Sequence, residues 1–196
     1  MQTLRQKIEA LPEPERSARR AFYTDDEWEF GWDLNAYPFQ IEPATDDWRI
    51  WTIIAGPGTG KSYAGEHWAW EKFFDKRANV LCLFQSRESV EDHFATFFQR
   101  GEMWSGCFEH SLRDEVYTQR HLRDVTTRNV LTCAVNNARH DPSQEGKVYD
   151  YIWADEVLDA EQVVDTYPDT TKFLFTQPTR LHPDTLLSRA GDGRTY

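Results

Sequence analysis

The sequence predicts an α/β domain in which a parallel β-sheet of about five strands is flanked by helices. Apolar runs of strand length recur along the chain, and segments with helically spaced apolar residues separate them. A glycine-rich turn also connects the first of these runs to the first long helical segment. Strands that alternate with helices favour parallel pairing, because each connection between parallel strands crosses one face of the sheet.

The composition excludes several classes of protein. The chain has 196 residues, a net charge of −11, 39% hydrophobic residues and 14% aromatic residues. This apolar content is too high for a disordered protein. The negative charge argues against nucleic acid or acidic membranes binding over the whole surface. We therefore expect any contact with DNA to come from a local basic patch or from a ring of subunits.

The cysteine content and the N-terminus predict a cytoplasmic protein without a membrane partner. Cys82, Cys107 and Cys133 are an odd number of cysteines without CxxC spacing, which favours reduced thiols over disulfides or a zinc site. The first residues alternate charged and isolated apolar side chains, unlike a signal peptide. Every mainly apolar run is far shorter than the ~20 residues that span a bilayer.

The chain is predicted to begin with an N-terminal lead-in over residues 1–47. Helical spacing in residues 2–11 ends at Pro12 and Pro14, an aromatic and acidic segment follows, and residues 34–48 are expected to form an ordered loop. Residues 48–196 are predicted to form the core of the domain. Its strands are expected at 51–55, 79–84, 129–135, 149–154 and 171–176, and its helices at 61–74, 89–98 and 160–166; residues 101–128 show little periodicity.

The glycine-rich turn matches a phosphate-binding loop (P-loop). It lies between an apolar strand and a helix, which is where such loops occur. Its backbone N–H groups and the helix N-terminus would bind phosphates, Lys61 would reach the β- and γ-phosphates, and Ser62 would bind Mg²⁺. The nucleotide-binding residues predicted in the loop are Gly56, Pro57, Gly58, Thr59, Gly60, Lys61 and Ser62.

A second candidate site lies at the end of the fourth predicted strand, residues 149–156 (YDYIWADE). In P-loop ATPases an aspartate in this position holds the Mg²⁺ shell, and an adjacent glutamate polarises the attacking water. We therefore predict Asp155 as a metal-binding residue and Glu156, with Lys61, as a catalytic residue. A glutamate in this position favours hydrolysis over passive nucleotide sensing.

The fifth predicted strand ends in Thr176 and Gln177. A polar pair at the end of the strand beside the P-loop would lie near the γ-phosphate. It could signal whether that phosphate is present to the parts of the protein that bind DNA. An ordinary exit from a strand into a loop is the alternative.

These motifs, in this order, resemble the ATPase domain of the phage large terminase subunit, the motor that packages viral DNA. The similar segments are residues 28–30 (WEF), 37–40 (YPFQ), 47–51 (DWRIW), 65–68 (GEHW), 146–156 and 176–180 (TQPTR). The resemblance implies an ASCE-type P-loop NTPase fold, with ATP and Mg²⁺ as cofactors. It also implies that Gln40 contacts the adenine and that Thr176 and Gln177 couple hydrolysis to movement, although Gln177 replaces the usual threonine.

Two further departures concern arginines. The family usually has arginine where this chain has Pro57, and many members have arginine at the position of Glu145. Arginines near the γ-phosphate stabilise the transition state, so their absence predicts either slow turnover or an arginine from a neighbouring subunit. Arg139 is the favoured candidate for that arginine finger, and Arg87 and Arg180 are alternatives.

The resemblance implies a DNA-translocating ATP hydrolase that works as a homo-oligomeric ring on double-stranded DNA, with portal protein and small terminase as partners. Large terminases also carry a nuclease domain; we expect either that this chain is an isolated motor domain or that the nuclease is a separate subunit. A basic stretch holding Arg113, Arg120, His121, Arg123 and Arg128 could face DNA or form a solvated mixed surface. Two other functions stay open: an ATP-binding regulatory or assembly subunit with little turnover, and a helicase-like motor domain.

Overall fold

The computed structural model describes residues 1–75, 77–102, 108–113, 119–136, 148–157, 159–178 and 194–195. The chain divides into two compact units, Met1–Pro43 and Ala44–Tyr196.

The first unit consists of short helices. Thr3 and Thr24 begin two of them, and the hydroxyl of each accepts a hydrogen bond from a backbone N–H in the first helical turn. The indole of Trp28 lies under the guanidinium groups of Arg5 and Arg20, 5.6 and 4.9 Å from the ring centroid. The elements are α1 (Leu4–Glu9), α2 (Glu15–Arg20), α3 (Asp25–Phe30), α4 (Trp32–Asn35) and a 3₁₀ turn (Pro38–Gln40).

Among the described residues, the second unit contains one sheet and three helices. The helices are α5 (Lys61–Phe73), α6 (Arg87–Glu102) and α7 (Ala160–Thr166). The strands are β1 (Ile50–Ala55), β2 (Asn79–Phe84), β3 (Phe108–Arg113), β4 (Gln119–Asp124), β5 (Val130–Val135), β6 (Tyr151–Asp155), β7 (Lys172–Pro178) and β8 (Arg194–Thr195). In the part of the chain that the structure describes, no helix combines the length and apolar character required to cross a membrane.

The sheet has the strand order β3-β4-β5-β2-β6-β7-β1-β8. All neighbours from β5 to β8 pair in parallel, while β3 and β4 are antiparallel to their neighbours. The five predicted strands are thereby confirmed, and the structure adds β3, β4 and β8. The sequence of β4 (QRHLRD) does not show the apolar pattern that predicts a strand, because Leu122 is its single apolar side chain and polar residues surround it.

The helices cover both faces of the sheet, as a parallel sheet requires. Phe84 and Trp153 lie on the face that carries α6, where Phe97 packs within 6.5 Å of the Trp153 ring. On the opposite face, Val163 of α7 belongs to a buried cluster with Phe173 and other apolar side chains of β2, β6 and β7.

Gly65 allows α5 to pack closely on the sheet. A Cβ atom at this position would lie 2.0 Å from Cε2 and 2.2 Å from Nε1 of Trp153, a ring that is fully buried. The absence of a side chain therefore sets the distance between α5 and β6.

We expect Gly65→Ala to lower the free energy of unfolding by about 1–3 kcal/mol, because the methyl group overpacks a rigid part of the core. Helix propensity alone would have the opposite effect, a gain of about 1 kcal/mol. Denaturant unfolding distinguishes the two signs, and Glu71→Ala on the exposed side of α5 serves as the control. A Gly65→Ala variant as stable as the native chain would contradict the packing argument.

Candidate nucleotide-binding site

The P-loop connects β1 to α5 and leaves open space above its backbone. Gly58 and Gly60 have φ angles of 73° and 78°, in the left-handed region that glycine adopts readily. A Cβ atom at Gly56 or Gly58 would meet no atom within 4 Å. The Thr59 hydroxyl donates to the carbonyl of Gly56 at 2.8 Å, which closes the turn. The loop can therefore accommodate a group as large as a phosphate against its N–H groups.

Lys61 begins α5 and is buried, with 6% of its surface exposed. Its Nζ lies 3.4 Å from the carbonyl oxygen of Gly56 and 3.6 Å from Oε1 of Glu156. The ammonium group therefore lies between the loop and the end of β6. The Glu156 carboxylate is a negatively charged group beside it.

Ser62 and Asp155, which are both predicted to bind a metal ion, are in direct contact, and their metal-binding role stays a prediction. The Ser62 hydroxyl donates to Oδ2 of Asp155 at 3.0 Å and lies 3.3 Å from Oδ1. Thr176 donates its hydroxyl proton to Oδ1 of the same carboxylate at 2.5 Å. Asp155 thus links the first turn of α5 to the end of β7.

Trp153 completes this arrangement from within β6. Its indole N–H donates to Oγ1 of Thr176 at 2.9 Å, so the Thr176 hydroxyl both accepts and donates a hydrogen bond. Thr176 is fully buried, which makes each of these bonds costly to lose.

Burial raises the pKa of Asp155, and the hydrogen bonds from Thr176 and Ser62 lower it by a smaller amount. His93 also lowers the pKa, whereas the charge of Glu156 raises it. A carboxylate whose charge is poorly solvated gains more than an exposed one from a cation placed beside it.

Glu156 has a strained backbone held from two sides. Its φ of 52° places a non-glycine residue in the left-handed region. Its N–H donates to the carbonyl of Thr176 at 2.8 Å, and its own carbonyl accepts a hydrogen bond from Nε2 of Gln85. Strain of this kind persists only where neighbouring contacts fix the conformation, and it concentrates at functional sites.

Thr176 and Gln177 point to opposite faces of the sheet, since they are consecutive residues of β7. Thr176 lies on the Asp155 side. Gln177 is fully buried, and neither its Nε2 nor its Oε1 has a hydrogen-bond partner among the residues that the structure describes. The two residues predicted to act together in coupling therefore have different surroundings, and their coupling role stays a prediction.

Gln40 and Arg139 are two further residues whose predicted roles stay predictions. Gln40 lies in the first unit, where its Oε1 accepts a hydrogen bond from the N–H of Tyr37 at 2.7 Å; its contact with adenine stays a prediction. Arg139, the predicted arginine finger, lies outside the described residues, as do Glu145 and the alternative Arg180. Arg87, the other alternative, begins α6.

The basic stretch is partly neutralised within the chain. Arg120 forms a bidentate ion pair with Glu91, with Nη2 of Arg120 2.6 Å from Oε2, and its guanidinium lies 5.8 Å from the Phe94 ring centroid. Nδ1 of His121 lies 2.9 Å from Oγ1 of Thr132. These two side chains therefore support the packing of β4.

Four residues at the site were not predicted from the sequence: Glu66, Gln85, His93 and Trp153. Two of them carried a signal that could have been used. Glu66 follows Ser62 by four residues on α5, and His93 lies in the apolar stripe of α6 with Val90, Phe94 and Phe97. Residues with this spacing share one helix face, so a buried acid and a half-buried histidine could have been placed on the faces that meet the sheet.

We expect Thr176→Val to destabilise the nucleotide-free protein by about 1–3 kcal/mol, because the Trp153 N–H loses its acceptor and Asp155 loses a donor at nearly constant volume. Denaturant unfolding measures the effect. Thr52→Val is a matched control, since its pairing with Phe175 places this buried threonine on the opposite face of the sheet. Equal effects of the two substitutions would contradict a special role for the Thr176 hydroxyl.

A pH-dependent effect is expected at His67, one residue after Glu66. Burial, and to a smaller extent the charge of Arg100, lowers the pKa of His67 from its usual 6.5 to about 4. Between about pH 6.5 and pH 4, the unfolded chain therefore binds a proton at His67 that the folded chain does not bind. The free energy of unfolding decreases as the pH falls through this window. When thermal unfolding is measured at pH 7.5 and at pH 5, His67→Gln should lose less stability on acidification than the native chain. Equal losses in the two proteins would contradict this.

Comparison with protein-family models and with curated proteins finds no match. Solved structures do match the fold. The chain superimposes on the large terminase ATPase domain of Thermus phage P74-26 with a TM-score of 0.52 and 15% identity, covering 81% of this chain and 71% of that domain. A large terminase from a thermophilic bacteriophage, solved in complex with ADP, matches with a TM-score of 0.50 and 13% identity; the match covers 81% of this chain and 42% of the terminase. The chain therefore has the fold of phage large terminase ATPase domains.

Proposed function

We propose that this chain is a Mg²⁺-dependent ATPase motor that drives double-stranded viral DNA into a capsid. One observation supports the proposal most strongly: Ser62 of the P-loop helix and Thr176 of β7 both donate to the Asp155 carboxylate. This contact joins the nucleotide loop, the predicted metal ligand and the predicted coupling strand. A structural glycine-rich turn would not need a buried acid shared by two other elements.

The residues of the loop fit a nucleoside triphosphate. The space above Gly56 and Gly58 is open, and Lys61 lies beside it, 3.6 Å from a carboxylate oxygen of Glu156. The loop N–H groups and Lys61 would hold the phosphates, while Gln40 is proposed to contact the adenine. The fold neighbour solved with ADP is consistent with this assignment.

The site also fits Mg²⁺. The described residues contain no group of three or more histidine, cysteine, aspartate or glutamate side chains that could hold a metal ion. Mg²⁺ does not require such a group, since it retains several waters and binds through one or two protein oxygens and the substrate phosphates. Ser62 Oγ and the Asp155 carboxylate are hard oxygen donors in contact with each other. When bound there, the ion would neutralise negative charge on the phosphates.

Glu156 is the proposed general base. Its backbone is fixed by Thr176 and Gln85, so its side chain extends from a defined position at the end of β6. Lys61 lies on the side of the P-loop, 3.6 Å from one carboxylate oxygen. Rotation of the side chain away from Lys61 would place a carboxylate where it can orient an attacking water.

The DNA-related parts of the proposal extend to partners. We propose a homo-oligomeric ring in the host cytoplasm that engages double-stranded DNA, a portal protein, a small terminase and a separate nuclease subunit. Thr176 and Gln177 would couple product release to movement, and an arginine such as Arg139 would act from a neighbouring subunit. With a net charge of −11, one subunit is expected to bind DNA weakly and in a salt-sensitive manner.

The test is the effect of Glu156→Gln on phosphate release. We expect the substitution to reduce steady-state release from MgATP by about 100- to 10,000-fold, because the amide cannot accept the proton of the attacking water. ATP binding, measured separately by equilibrium titration, should be retained. Glu161→Gln on α7 provides a control with the same change in charge and should hydrolyse ATP at the native rate.

The assay should be repeated with double-stranded DNA and portal protein present. If the native chain and Glu156→Gln are equally inactive with all partners, the motor proposal is wrong and the chain acts as an ATP-binding assembly subunit. If the native chain separates DNA strands by itself, the helicase alternative is favoured.

A further inference from the structure

The ring of His93 is fixed in one plane at the edge of the predicted metal site. It stacks on Phe84 with centroids 4.6 Å apart and an interplanar angle of 8°. The edge of Trp153 meets it at 5.3 Å and 84°. With one aromatic ring parallel and the other perpendicular, the imidazole has little freedom to rotate.

The two nitrogens of this ring face two buried carboxylates. Nδ1 lies 2.7 Å from Oε1 of Glu66, and Nε2 lies 3.8 Å from Oδ2 of Asp155. The exposed fractions are 7% for Glu66 and 9% for Asp155. The other oxygen of Glu66 lies 4.0 Å from Nη2 of Arg100, which offsets its charge.

This geometry assigns different roles to the two nitrogens. An ionised Glu66 can only accept a hydrogen bond, so Nδ1 carries the proton in this contact. In a neutral ring, Nε2 is then an acceptor. It faces the oxygen of Asp155 that already accepts the Ser62 proton, and at 3.8 Å the separation exceeds that of a hydrogen bond. The acceptor on Nε2 is therefore directed at the place where Ser62 and Asp155 would hold a hydrated cation.

We propose that His93, oriented by Glu66, positions the hydrated divalent cation at Ser62 and Asp155 by accepting a hydrogen bond from one of its waters. The inference rests on the proposed function, because it assumes a metal-dependent nucleotide site. Mg²⁺ keeps several waters in protein sites, and outer-shell partners of this kind fix both the ligands and the ion. His93 is thus a positioning residue, which acts on the metal without touching the nucleotide.

The test separates metal binding from nucleotide binding. The affinity of the full chain for a fluorescent ADP analogue is measured during titration with Mg²⁺ and again in EDTA. We expect His93→Ala to raise the Mg²⁺ concentration at half-maximal effect about tenfold, since loss of an outer-shell partner typically costs 10- to 100-fold. The affinity in EDTA should stay within about twofold of the native value, because the P-loop contacts are unchanged.

Further variants distinguish positioning from a purely structural role. Glu66→Gln keeps an oxygen that accepts the Nδ1 proton and should show a nearly native Mg²⁺ dependence, whereas Glu66→Ala should resemble His93→Ala. His93→Gln retains an acceptor and should recover part of the loss. His121→Asn changes a histidine of β4 that contacts Thr132 of β5 and should have no effect on the Mg²⁺ titration.

Two results would overturn the inference: a native Mg²⁺ dependence in His93→Ala, or an equal loss of affinity with Mg²⁺ and in EDTA. If His93→Ala does not fold, Glu66→Ala and His93→Gln decide by the same measurements. A native chain whose nucleotide affinity does not respond to Mg²⁺ would instead show that the proposed function is wrong.

Discussion

The carboxylate of Asp155 is the interaction on which the candidate site depends. It is buried, and burial opposes its charge, so it needs donors on both oxygens. Ser62 and Thr176 supply them, and Trp153 fixes Thr176 in turn. The hydrogen bonds therefore hold the first turn of α5, the end of β6 and the end of β7 in one arrangement before any nucleotide binds.

This arrangement is possible only because α5 lies close to the sheet. Gly65 removes the side chain that would collide with Trp153, and the indole can then reach Thr176. A glycine in a helix interior usually weakens the helix. Here its cost in helix propensity is offset by the packing of the helix on the sheet and by a hydrogen-bond chain that leads to the candidate metal ligand.

The sequence was sufficient to predict the central fold. Five strands are confirmed close to their predicted bounds, because each is an apolar run buried on both faces of a parallel sheet. The strand β4 was not predicted, since its pattern is polar and its formation depends on pairing with β5. Two motifs at the ends of β1 and β6 predicted Ser62 and Asp155 as metal-binding residues, and the structure brings the two side chains into contact. His93 was not placed at the site, because its role arises from contacts with residues far away in the sequence.

The left-handed backbone of Glu156 restricts which residues evolution can place there. Glycine and asparagine adopt this conformation at low cost but carry no carboxylate, and aspartate, which also adopts it, carries one on a side chain shorter by one methylene. Every substitution that relaxes the backbone would therefore remove the acid or shorten its reach, while retaining glutamate preserves the strain. The position illustrates a trade-off between stability and activity at a single residue, in which selection for a more stable chain alone would remove its proposed chemistry.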